Sequence, residues 1–95
     1  MSAELELRPC DFETLIGTSL PLLDSGIALT VDAVTPLTPH ALRAEPFALV
    51  LRLPSGWQGQ QGLYTLEHPV RGRIELFCTP IEPHDGCARL EAVFN

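Results

Sequence analysis

The 95-residue chain contains no lysine; its six basic residues are all arginines, Arg8, Arg43, Arg52, Arg71, Arg73 and Arg89. That absence removes Schiff-base chemistry and a phosphate-cradling P-loop, which both need a lysine amine. The arginines are scattered apart from the pair flanking Gly72, and twelve acidic residues outnumber them to leave a net charge of −6. Nothing here resembles the basic stripe that counterion release from nucleic acid requires, so no nucleic-acid partner is expected. No apolar run approaches the roughly 18 residues that span a bilayer, and the opening Met1-Ser2-Ala3-Glu4 is acidic where a secretory signal would be basic. The expectation is a soluble, cytoplasmic protein with no membrane partner. Cysteine is sparse too: Cys10, Cys78 and Cys87 are an odd number without CxxC spacing. They make neither a disulfide framework nor a zinc knuckle, and free thiols in a reducing compartment fit best.

What is present suits one folded β domain spanning residues 1–95. A chain of this size buries roughly 60–65% of its unfolded surface, enough for a core without staples. The hydrophobic fraction of 45% and the charged fraction of 19% are those of a globular protein rather than a disordered one.

The segment from Arg8 to Gly17 opens with a proline and acidic residues and stops at a glycine, the order expected of one or two turns of helix. Phe12, Leu15 and Ile16 share one helical face, suited to plugging an open end or edge of the strands beyond it. From Thr18 onward the period changes to two. Ser19 to Leu23 and Ile27 to Thr35 read as strands joined by a tight turn at Asp24-Ser25-Gly26, with Ile27, Leu29, Val31 and Ala33 on one face and Thr30 and Asp32 on the other.

A loop containing Pro36, Pro39, Glu45 and Pro46 separates these from a third strand, Phe47 to Leu53, whose outward positions are also partly apolar. That suggests a central place in the sheet or cover from the helix. Pro54 to Gly62 has no periodicity and holds the only tryptophan, Trp57. Further strands lie at Leu63 to Glu67, at Arg73 to Thr79 and at Cys87 to Phe94, with turns at 68–72 and 82–86. Six strands about ten residues apart with one short helix predict an antiparallel meander closed into a small barrel or folded into a sandwich. Strand parity places Cys78 inward and Cys87 on the opposite face, so no bridge is expected between them.

Candidate chemistry is thin, and no catalytic residue or cofactor is expected. His40, His68 and His84 each neighbour a proline in a predicted loop. A metal site using His68, His84 and Asp85 is conceivable if loops converge, but none of the spacings is a local ligand signature. Cys10 beside Asp11 gains from a helix N-terminus what the adjacent carboxylates take away. Gly56, Gly59 and Gly62 precede no helix, so they are turn glycines rather than a phosphate cradle. Glu67, Glu75 and Glu91 with Arg73 and Arg89 suit a cross-strand charge ladder better than a glycosidase pair, which needs an enclosing cleft. Trp57 and Tyr64 offer an aromatic patch, and with Glu67 and His68 they form a candidate interaction surface; equally, Trp57 could fold back over the core.

The C-terminal half carries a recognisable pattern: Glu45-Pro46-Phe47, Gln61-Gly62-Leu63-Tyr64-Thr65-Leu66-Glu67-His68-Pro69, Gly72-Arg73-Ile74-Glu75-Leu76-Phe77 with Pro80-Ile81, and Glu91-Ala92-Val93-Phe94-Asn95. It resembles a family of small, uncharacterised bacterial domains, and Phe12 with Leu15-Ile16-Gly17 fits that family's start. The resemblance implies no activity; it implies company with bacterial proteins that carry phage tail-collar-like domains, and hence an assembly or interaction role. Cys78-Thr79 departs from the aliphatic residues the family has there, which argues against a shared functional thiol.

The leading expectation is therefore a non-enzymatic module that binds another protein, in a phage-tail-like or appendage assembly. The alternative is a small metal-dependent enzyme or ligand binder using the loop histidines. An enclosed apolar ligand is disfavoured, because about eight strands are needed before a barrel interior holds more than side chains. A final strand ending Val93-Phe94-Asn95 at a sheet edge would also suit a homodimer.

Overall fold

The computed structural model describes residues 7–38 and 45–94. His40 and Asn95 lie outside the described residues. One turn of helix, α1 (Cys10–Glu13), precedes six strands: β1 (Ser19–Pro21), β2 (Ala28–Pro36), β3 (Phe47–Arg52), β4 (Gly62–His68), β5 (Gly72–His84) and β6 (Cys87–Phe94). All neighbours are antiparallel, in the order β1-β2-β3-β6-β5-β4. A single backbone bridge, Leu22 to Leu66, with the Leu23 amide donating to the Thr65 carbonyl at 2.9 Å, brings β1 round to β4 and nearly closes the sheet into a barrel.

The meander breaks once. Segment 54–61 is too long for a tight hairpin and crosses the barrel end instead, so β3 pairs with β6 rather than β4. As a result β6 is an interior strand, not the edge that its C-terminal position suggested. β3 lies between β2 and β6, which gives its apolar outward positions, Ala48 and Val50, their burial.

The predicted inward faces form one core: Leu29 and Val31, Phe47 to Leu53 by alternation, Ile74, Leu76 and Cys78, and Leu90 and Ala92, with Leu20 and Leu66. One inward position differs. The β2–β3 register slips between Val31 and Ala33, a bulge at Asp32. An extra residue reverses parity beyond it, so Ala33 pairs with outward Val50 while Val34 pairs with Leu49 and packs on the core.

β5 is longer than its alternation suggested and absorbs the expected turn up to His84. The turn itself shrinks to Asp85-Gly86, both at positive φ (52° and 78°), as a two-residue hairpin loop matching the strand twist requires. Pro80 and Pro83 hid this extension. Both lie beyond Cys78, where β5 has lost β4 as a neighbour, and prolines are tolerated where a strand is an edge.

β5 changes partner along its length. Gly72–Cys78 pairs with β4, whereas the ladder to β6 begins at Thr79–Glu91 and runs the other way along the strand. The N-terminal half of β5 and the last residues of β6 therefore splay apart. On its other side the β4–β5 hairpin meets β1 through the Leu22–Leu66 bridge, with Thr18–Pro21 and Glu67–Val70 lining a groove beyond it.

Candidate functional site

The splayed hairpin is held at its tip by α1. Phe12 is fully buried in the open end of the barrel, with its ring 6.1 Å from Phe47, 6.4 Å from Phe94 and edge-on to His68 at 5.4 Å. Phe47 and Phe94 stack on each other at 4.4 Å. The helix is shorter than its apolar spacing allowed: it ends at Glu13, so Leu15 only partly packs and Ile16 turns to solvent.

His68 was expected in an exposed turn. It is instead the last residue of β4 and only 5% exposed. Its Nδ1 accepts from the Val70 and Arg71 amides at 3.1 and 3.0 Å, which puts the proton on Nε2, and Nε2–H donates to the Asp11 carbonyl at 2.7 Å. The imidazole thus stitches the β4–β5 turn to α1. Asp11 completes the clasp from its side chain: Arg71 Nε donates to Oδ1 at 3.2 Å and Nη2 to Oδ2 at 3.1 Å, while the Arg8 amide donates to Oδ2 at 2.7 Å. Burial pushes the Asp11 carboxyl up, but the Arg8 amide and the Arg71 guanidinium outweigh it and hold the group below its ordinary value.

This arrangement spends both ring nitrogens of His68 and both oxygens of Asp11 on closing the fold. His84 stands at the far end of β5, thirteen residues long, which is of the order of 40 Å of strand from the His68 end. There it pairs with its neighbour Asp85 at 3.3 Å, both exposed. The structure does not bring His68, His84 and Asp85 together, and among the described residues no three His, Cys, Asp or Glu side chains cluster as metal ligands.

The four residues of the candidate interaction surface are also spread out. Trp57 is 50% exposed on the loop over the opposite end of the barrel, where Gly59 settles on the core. A Cβ at Gly59 would come 3.0 Å from the Leu90 side chain. The Tyr64 hydroxyl is tied to the Gln60 backbone of the same loop. Glu67 pairs with Arg73 at 3.3 Å on the outer face.

Of the expected charge ladder, that pair alone forms. Arg89 turns to the Glu82 carbonyl at 2.9 Å and to Asp32, which the β2 bulge presents between Arg52 (2.9 Å) and Arg89 (3.7 Å). The thiols are free: Cys10 is exposed, Cys87 intermediate and Cys78 buried, the last pushed up to about 11 by burial.

Sequence reasoning missed the outer face of the hairpin. Leu63 and Phe77 are directly opposite across β4 and β5, and are 67% and 55% exposed. Across the splay from Phe77 stands Val93, 48% exposed. A notch of about 210 Å³ separates the strands, lined by Glu75, Leu76, Phe77, Thr79 and by β6 from Glu91 to Phe94. The signal was the apolar residue at the outward parity of each strand.

Residues 7–94 match the family described as Domain of unknown function (DUF6916). The chain belongs to that family. The match takes in the whole of this DUF6916 architecture, from the α1 clasp to the end of β6. No curated protein and no solved structure matches the chain. No helix among the described residues is long and apolar enough to cross a membrane.

Proposed function

We propose that this DUF6916 domain is a non-enzymatic module that binds another protein. The observation carrying this reading is the division of labour between its polar and apolar surfaces. His68, Asp11 and Arg71, the best-formed polar cluster, are bound to one another and to backbone. Large apolar side chains, in contrast, stand in water on the outer face at Leu63, Phe77 and Val93. Large apolar side chains grouped on one exposed face are the kind of surface that marks an interaction site.

The resemblance to companions of tail-collar-like proteins supports an accessory role in a phage-tail-like or appendage assembly. Affinity isolation of the full chain from its native host tests the reading. It predicts a partner recovered in stoichiometric amount and co-migrating with the domain on size exclusion; a monomer that recovers none contradicts it.

A further inference from the structure

The notch between β5 and β6 has a shape and a charge that narrow the partner. Its rim is apolar, Phe77 on one side and Val93 on the other, and Leu63 extends the row from Phe77 across to β4. Its flanks are acidic: Glu75 and Glu91 line it, no arginine does, and neither carboxylate has an ion-pair partner among the described residues. The backbone is open as well. The β5–β6 ladder stops at Thr79–Glu91, so Phe77 and Val93, which would be the next outward pair, do not meet. An edge left without its ladder accepts an extended segment, which gains main-chain hydrogen bonds along the strand and sets alternate side chains into the surface.

A second copy of this chain suits that notch poorly. It has no lysine. Arg52, Arg71, Arg73 and Arg89 each already face a carboxylate of their own chain, and Arg8, the other arginine among the described residues, lies beside α1 and Pro46 rather than along the notch. Facing copies would set unpaired carboxylates against one another, and like-charge juxtaposition disfavours a contact.

We infer that the β5–β6 notch, with the Leu63–Phe77–Val93 row, receives an extended segment of a different protein in which apolar residues alternate with Lys or Arg. This rests on the protein-binding reading and names its site and occupant.

The test is NMR titration of the isotope-labelled full chain with a short soluble peptide alternating Lys and Val, beside one alternating Glu and Val. Amide shifts confined to residues 75–79 and 91–93 are expected with the Lys peptide, and none with the Glu peptide. Each carboxylate supplies one modest surface charge contact, so the doubly substituted Glu75→Gln, Glu91→Gln chain should bind about tenfold more weakly. Phe77→Ser should remove binding; should that variant unfold, the exposed glutamine pair still decides. Shifts elsewhere, equal shifts with both peptides, or no shift at millimolar peptide overturn the inference. So does self-association of the wild type in sedimentation that Phe77→Ser abolishes, because it gives the surface to a second copy. A host partner that protects another face would sink this site while leaving the binding module standing; the absence of any host partner would sink the module itself.

Discussion

The two sides of this barrel are closed by different means. Along β2, β3 and β6 the strands are joined by full-length ladders, six residue pairs in unbroken register between β3 and β6 and a single bulge at Asp32 between β2 and β3, and the core beneath includes fully buried aliphatics. The β4–β5 hairpin contributes Leu66, Ile74, Leu76 and Cys78 to the same core. Yet it parts from β6 above Thr79, and on its other side it is joined to the chain just past β1 by one bridge, Leu22 to Leu66, and the Leu23 amide on Thr65 rather than by a ladder. What holds its tip is a side-chain clasp, with Phe12 as the plug and His68, Asp11 and Arg71 as the stitches. Burial and strand pairing are thus separable: a hairpin can share a core while its closure rests on a helical turn far away in sequence. The opened edge that results is also where the apolar outer row stands.

Substitutions that attack the clasp should therefore separate the two sides. Phe12→Ala removes a wholly buried ring from the junction of both, and should cost about 3–5 kcal/mol in chemical denaturation, the largest single effect. His68→Leu keeps the bulk but orphans the Val70 and Arg71 amides and the Asp11 carbonyl. At about 1–3 kcal/mol for a buried group left without its partner, a loss of about 2–3 kcal/mol is expected, with cooperativity weakened because the hairpin loosens first.

Asp11 adds a pH signature. Its folded-state carboxyl titrates below the ordinary value, so it contributes stability that is present above the unfolded pKa and is lost as pH falls through the folded one. Melting curves below about pH 4 should fall less steeply for Asp11→Asn than for wild type, although Asp11→Asn starts lower at neutral pH. The smallest effect belongs to the laddered side. Arg52→Ala removes a part-exposed contact to Asp32 that Arg89 partly replaces, and should change stability by no more than about 1 kcal/mol.

Much of this fold is legible in the sequence because period-two burial leaves a direct trace. Leu49, Leu51 and Leu53, or Ile74, Leu76 and Cys78, announce their face by alternation alone. The parts that were not legible are non-local. A bulge at Asp32 exchanges Ala33 for Val34, and nothing in Thr30-Val31-Asp32-Ala33-Val34 marks where the extra residue sits. The burial of His68 depends on a carbonyl contributed by Asp11, fifty-seven residues away. His68-Pro69 reads locally as an exposed turn, and only the docked helix makes it interior. The apolar row was hidden for a related reason: Leu63 and Phe77 look like core candidates one by one, and only register shows them paired on the wet face.

Whether α1 closes the β4–β5 hairpin where ladders do not is read most directly by site-resolved amide hydrogen exchange of wild type and Arg71→Ala under native conditions. Exchange should accelerate across residues 62–78 while the β3 and β6 amides keep their wild-type protection. Acceleration spread evenly over the sheet, or protection of the hairpin unchanged by loss of Arg71, would contradict closure by the clasp.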